Sequence, residues 1–216
     1  MGKTLALSLG GLGAGGAGIG GLLALKPWES EETFATKYKH ALLDTSKDSD
    51  SWKSKYEELK TKDPAHPTLK KAATEAKKNP SSNEVAAKQL LREGCKAIYE
   101  SPYGDSKYKD DFKKYCSRNN KDASSGDAWN TDTTENNSGN KWDASLTSLK
   151  GHDTSKNGDL VDVLSQLKEE IKSKNSTFEK TYREKLKNWC ESVQKEPFMG
   201  SDSLEFKNQE LYCKGK

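Results

Sequence analysis

This chain has no large excess of either charge. Its 216 residues carry 36 basic and 33 acidic side chains, a formal net charge of +3. That balance supplies no field for a nucleic-acid partner, and beyond residue 25 the basic groups form no stripe. Large apolar side chains are also scarce. Past residue 25, Leu, Ile, Val, Phe, Met, Trp and Tyr make up about a fifth of the chain, too few for a generous core. Disorder or covalent staples are the two ways out. No stretch alternates like a strand. Catalytic patterns are absent too: there is no H-E-x-x-H, no G-x-S-x-G and no Cys–His pair with local support. Without a C-x-x-C, and with His40, His66 and His152 far apart, zinc is disfavoured. Carboxylates are plentiful but alternate with lysines, as in Lys168 to Lys172, the pattern of solvated helix faces. No catalytic, cofactor-binding or metal residue is therefore assigned.

What is present begins at the N-terminus. Thr4 to Leu25 is a run of 22 uncharged residues between Lys3 and Lys26, holding eight of the 17 glycines. As a helix it reaches about 33 Å, enough for a hydrocarbon core of about 30 Å. A bilayer penalises every unpaired backbone group, so even glycine-rich sequence is driven into helix there. Small residues four apart, such as Gly11 with Gly15 and Gly16 with Gly20, permit close approach of two such helices and hence self-association. A cleaved signal peptide is the alternative, but the run is long and no clear small-x-small site precedes Lys26 and Pro27. The flanking charges lean slightly toward an external C-terminal domain. Gly11 to Gly16 matches G-x-G-x-x-G, yet no acid-ended second strand or parallel-strand pattern follows, so a dinucleotide site is not expected. The Gly-Lys-Thr at residues 2–4 lacks the rest of a phosphate loop. Ala6 stands where a myristoylation signal needs Ser or Thr. No cysteine in the segment can carry a lipoprotein anchor.

The remainder reads as a duplication. Cys95, Ile98, Pro102 and Tyr103 recur as Cys190, Val193, Pro197 and Phe198 at the same spacing. Each copy closes on a Tyr-Cys pair, Tyr115-Cys116 and Tyr212-Cys213, while Trp52 and Leu59 match Trp142 and Leu149. The offsets are 90, 95 and 97 residues, a drift that short loop insertions explain. Helical periodicity dominates both copies, with stripes such as Ala87, Leu91, Cys95, Ile98 and Phe178, Tyr182, Leu186, Trp189, Val193. Ser81 with Glu84 and Ser176 with Glu179 look like capping boxes. Pro102 and Pro197 stop their helices. The expected helices lie near 52–62, 67–78, 82–101 and 106–116, then 142–150, 160–174, 177–195 and 202–213. Trp28, Phe34, Tyr38 and Leu42 suggest a juxtamembrane helix within residues 26–51, and the polar stretch 117–141 a flexible linker.

Four cysteines in equivalent positions are the strongest chemical signal. Four allow three pairings, and the duplication favours Cys95 with Cys116 and Cys190 with Cys213. Such bridges would pin the fourth helix of each copy onto the third and contribute roughly 3 kcal/mol each by the chain-entropy argument. They persist in oxidising compartments, which agrees with export. Four reduced cysteines in a cytosolic protein are the competing reading. Asp153 to Leu160 fits the first eight positions of an EF-hand loop, but Leu164 stands where the bidentate Glu belongs. A turn at Asn157-Gly158 with Asp159 capping the next helix is the simpler account.

The glycine-rich start, the polar Lys/Ser/Glu-rich helices and the duplicated Cys-x-x-aliphatic-x-x-x-Pro-aromatic and Tyr-Cys elements together resemble the paralogous membrane and surface proteins of haemotropic mycoplasmas, over essentially the whole chain. That family has no established activity to carry over. The resemblance implies a lineage-expanded membrane or surface protein with antigenic variation or host contact as its role. The expected architecture is all-α: an N-terminal transmembrane anchor or signal segment (1–25), a juxtamembrane helix (26–51), helical repeat 1 (52–116), a linker (117–141) and helical repeat 2 (142–216), each repeat holding one disulfide. Its expected partners are the lipid bilayer through residues 4–25, a host-surface component, and a second copy of itself through the Gly-rich anchor, with the polar domain outside the cell and no nucleic acid bound. The competing function is an exported hydrolase using carboxylates that no motif singles out.

Overall fold

The computed structural model describes residues 31–47, 50–78, 83–135, 139–175 and 177–215. The expected anchor at 4–25, Trp28, and the capping residues Ser81 and Ser176 lie outside them. Among the described residues no helix is long and apolar enough to cross a membrane. Extended pairing among them is confined to four single bridges, so the described chain is all-α.

The first half holds α1 (Phe34–Lys37), α2 (Asp50–Leu59), α3 (Pro67–Lys77), α4 (Glu84–Glu100) and α5 (Lys109–Asp111), which runs into a π turn, Phe112–Cys116. The second holds α6 (Asn120–Ala123), α7 (Lys141–Lys150), α8 (Thr154–Asn157), α9 (Asp162–Ile171), α10 (Lys180–Val193) and α11 (Leu204–Tyr212). Each half has its own core cluster. In α2, Trp52, Tyr56 and Leu59 bury one face; in α4, Ala87, Leu91, Cys95 and Ile98 do so, as their spacing requires. Pro67 opens α3 at its first helical position, where no N–H is needed. α4 stops at Glu100, two residues before Pro102, while α10 stops at Val193, four before Pro197.

Corresponding elements of the halves make corresponding bonds. The buried Trp52 and Trp142 each donate an indole N–H to an upstream aspartate carbonyl, Asp44 at 2.8 Å and Asp132 at 2.9 Å. Thr33 with Thr36 forms a capping box on α1, as Asn119 with Asp122 does on α6. Phe34 N donates to Ser101 O at 3.2 Å and Tyr103 N to Glu32 O at 2.8 Å. In the second half Asn120 N donates to Glu196 O at 2.9 Å and Phe198 N to Arg118 O at 3.0 Å.

Two expectations fail. Among the described residues of the expected juxtamembrane helix (26–51), helix is confined to the four residues of α1 and the start of α2 at Asp50, and Phe34, Ala41 and Leu43 are buried in the first core. The apolar spacing there suited a helix, but Ala41 O instead accepts from Arg118 N at 2.7 Å, which requires the chain to leave the helix. Residues 117–141 are not a free linker either. Asn120 is buried, Trp129 lies against the second core and bridges to Lys214, and Asn140 caps α7 through Trp142 N. Sequence composition hid this because, Trp129 apart, asparagine side chains hold the segment in place.

The halves meet without a spacer. Ser117 bridges to Leu42 of the first half, and two residues later Asn119 bridges to Pro197 of the second. The buried Lys55 of α2 faces Asp122 of α6 at 3.8 Å, and Lys113 reaches Glu196 at 2.5 Å. Phe198 packs on Phe206 at 4.8 Å and also meets His40 of the first half at 6.4 Å, whereas Tyr103 stays within its own half against Phe34 at 5.2 Å.

α3 and α4 lie in close contact at Gly94, where an added Cβ would lie 2.6 Å from Leu69 Cδ2 and 3.3 Å from the Leu69 backbone nitrogen. Gly94→Ala should therefore destabilise the protein by about 1–3 kcal/mol through overpacking. A lowered urea midpoint at unchanged slope checks this.

Candidate functional site

The strongest chemical feature from the sequence, the four cysteines, closes as two bridges: Cys95–Cys116 and Cys190–Cys213, with Cα–Cα distances of 5.1 and 5.5 Å and no cysteine left free. Cys95 and Cys190 lie on the buried faces of α4 and α10, near their ends. Cys116 ends the π turn and Cys213 caps α11. With sequence separations of 21 and 23, each closure stabilises by roughly 3 kcal/mol.

Around each bridge the backbone is tied down. Tyr99 donates its hydroxyl to Cys116 O at 2.5 Å and accepts from Leu43 N at 3.2 Å. In the second half no relay is needed, because Asn130 N donates to Cys213 O directly at 2.9 Å. Five residues before each second cysteine sits a polar clamp. The Asp111 carboxylate accepts from Ala65 N and His66 N at 2.8 and 2.6 Å, holding the start of α3. Asn208 accepts from Val161 N at 2.8 Å and donates to Asp159 O at 2.9 Å, holding the start of α9. Asp159 thus acts through its carbonyl, and α9 begins at Asp162 rather than at the expected Leu160. The Asp153 side chain caps α8 through Ser155 N at 3.0 Å.

Polar burial concentrates in the second half. Arg183 is fully buried; its Nε and Nη2 each donate to an Asp143 carboxylate oxygen at 2.7 Å. Its Nη1 holds Glu135 O at 3.0 Å. His152 is a buried, partnered side chain: Nε2 donates to Gly158 O at 2.9 Å, so Nδ1 accepts from the Tyr212 hydroxyl at 2.5 Å. Where the first half packs Phe34 against Phe112 with ring centroids 5.1 Å apart, the second places Asn120 and Gln209, with Gln209 Nε2 donating to Asn120 O at 3.2 Å. Asn120 Oδ1 and Gln209 Oε1 find no donor within the described residues.

Titration behaviour follows these surroundings. Hydrogen bonds from Ser46 and from Ser155 hold Asp44 and Asp153 below the usual carboxylate range, and Lys77 and Lys88 do the same for Asp63 and Glu84. Burial lowers Lys55 against the opposing pull of Asp122, and burial also lowers His66. Burial raises Tyr38 and Tyr99, and pushes Tyr115 and Tyr212 up to about 12. These are the signatures of caps, ion pairs and core hydroxyls.

Open space exists in two notable places. A cleft of about 600 Å³ is bordered by Glu31, Glu32, Pro102, Asp105, Lys107 and Tyr108. A second, of about 470 Å³, runs between α9 and α10. No three His, Cys, Asp or Glu side chains among the described residues gather as a metal-ligand set. No protein-family model, curated protein or solved structure matches the chain.

Sequence reasoning missed the Asp111 and Asn208 clamps and the Arg183–Asp143 pair. The clamps were within reach, since both stand at the same distance from a duplicated cysteine. The arginine pair carried no spacing signal.

A folded-state pKa raised above the unfolded value of about 10 contributes stability that is complete below that pH and lost as pH rises. Tyr115 and Tyr212 should therefore stay protonated until about pH 12, with unfolding setting in as they ionise. Tyrosinate absorbance should show at least four of the eight tyrosines titrating late in the folded protein and all of them near pH 10 in denaturant.

Proposed function

We propose that this chain is a membrane-anchored surface protein, held in the bilayer by residues 4–25, whose duplicated helical domain lies outside the cell and serves host contact or presents an antigenically variable face. The observation that carries the reading is the closure of all four cysteines as two bridges, a chemistry that persists in oxidising compartments. The uncharged run of 22 residues preceding the domain supports an anchor, and its spaced glycines support self-association within the membrane. The matched tryptophans, capping boxes and clamps of the two halves support an origin by duplication. The likeness to the paralogous surface proteins of haemotropic mycoplasmas supports the biological setting.

A binding module fits the side-chain chemistry better than a hydrolase does. Carboxylate catalysis at neutral pH needs an acid raised by its surroundings. The displaced carboxylates, Asp44, Asp63, Glu84 and Asp153, are instead held low by surface hydroxyls and lysines.

Protease shaving of intact cells should remove the polar domain and release its epitopes. Complete protection, with a C-terminal tag reachable only after lysis, contradicts the placement.

A further inference from the structure

The second half holds a groove between α9 and α10 where the first half packs α3 closely on α4 at Gly94, and the sequence difference at that place can be named. In the first half α3 lies hard against α4 because Gly94 has no side chain, and Leu69 fills the space an added Cβ would take. At the offset of 95 residues that aligns the cysteines, Gly94 becomes Trp189 and Ala72 becomes Leu167. Trp189 lies on α10 and lines a cleft of about 470 Å³ whose other wall is α9. Leu167 is a buried part of its lining, Trp189 is half-buried, and Val163 lies on the rim with 45% of its surface exposed.

The polar groups around this apolar lining are neutral or self-neutralised. Lys185 and Glu170 pair with each other at 2.5 Å. The indole N–H of Trp189 and the side-chain amides of Gln166 and Asn188 make no hydrogen bond within the described residues, whereas Trp52 and Trp142 both spend theirs on the backbone. One aromatic surface, one free N–H, two amides offering donors and acceptors, and no net charge thus converge on one cleft. The volume is that of a small-ligand pocket, about 300–1,000 Å³, while a stable protein interface needs about 800 Å² per partner.

We propose that the α9–α10 groove binds a neutral saccharide unit. The C–H face of a sugar ring stacks on the Trp189 indole, its hydroxyls exchange hydrogen bonds with Gln166, Asn188 and the indole N–H, and the absence of net charge in the groove matches a neutral sugar. The proposal gives the host-contact reading a ligand class and rests on that reading for its setting.

The test uses the full chain labelled with fluorotryptophan, in a detergent without a sugar headgroup. Fluorine NMR is read during titration with a panel of neutral mono- and disaccharides. The expected result is saturable movement of the Trp189 signal, assigned by Trp189→Phe, for at least one sugar at about millimolar concentration. The double variant Gln166→Ala and Asn188→Ala should bind about tenfold more weakly, with the Trp52 and Trp142 signals unmoved to show an intact fold. No saturable movement with any sugar overturns the proposal. So does equal affinity in the double variant, or movement caused by an apolar peptide but by no sugar. A failed titration removes the site and leaves the placement standing; protection from shaving removes the host-contact reading and leaves the titration standing.

Discussion

In each half the end of the last helix is tied back to the helix before it by a disulfide, and the other elements are arranged around that tie. With large apolar side chains scarce, burial alone gives little margin over the entropy of ordering the chain. A bridge worth roughly 3 kcal/mol is then a large share of the 5–15 kcal/mol that holds a typical domain together. The buried Tyr115 and Tyr212, the clamps Asp111 and Asn208, and the carbonyls of Cys116 and Cys213 all sit within five residues of a second cysteine. Each clamp holds the start of the second long helix of its half, α3 or α9, so one short segment sets both the disulfide and that helix.

The same segment joins the halves. Immediately after Cys116 the chain bridges to Leu42 through Ser117 and then to Pro197 through Asn119. A connection this short leaves no slack, and the buried Lys55 facing Asp122 adds a charged contact across the junction. Burying a lysine costs solvation, and its partner offsets that cost. Within this common frame the two halves differ in how they fill space. Phe34 and Phe112 become Asn120 and Gln209, and Gly94 against Leu69 becomes Trp189 beside an open groove. The proposed duplication thus keeps backbone ties in both copies and changes side-chain chemistry in the second.

Much of this was legible in the sequence. The long helices fall within a few residues of where apolar spacing puts them, because Leu, Trp and Cys at three- and four-residue intervals leave one face to bury. The cysteine pairing followed from the duplicated Tyr-Cys elements. What escaped is held by backbone and amide bonds. Residues 32–47 and 117–135 form capping boxes, single bridges and short turns, whose signal is a few Thr and Asn side chains among many others. The match of Phe34 to Asn120 is invisible to a comparison that looks for like residues. The groove escaped because it depends on which side chain opposes residue 189, a fact of packing and not of spacing.

The central claim, that each half is stapled within itself in an oxidising compartment, is tested most directly on protein taken from native membranes. Free thiols are blocked at lysis, and the unreduced protein is digested and mapped by mass spectrometry. The account predicts two linked peptide pairs, Cys95 with Cys116 and Cys190 with Cys213, and no blocked cysteine. Four blocked thiols, or a bridge between the halves, contradict it.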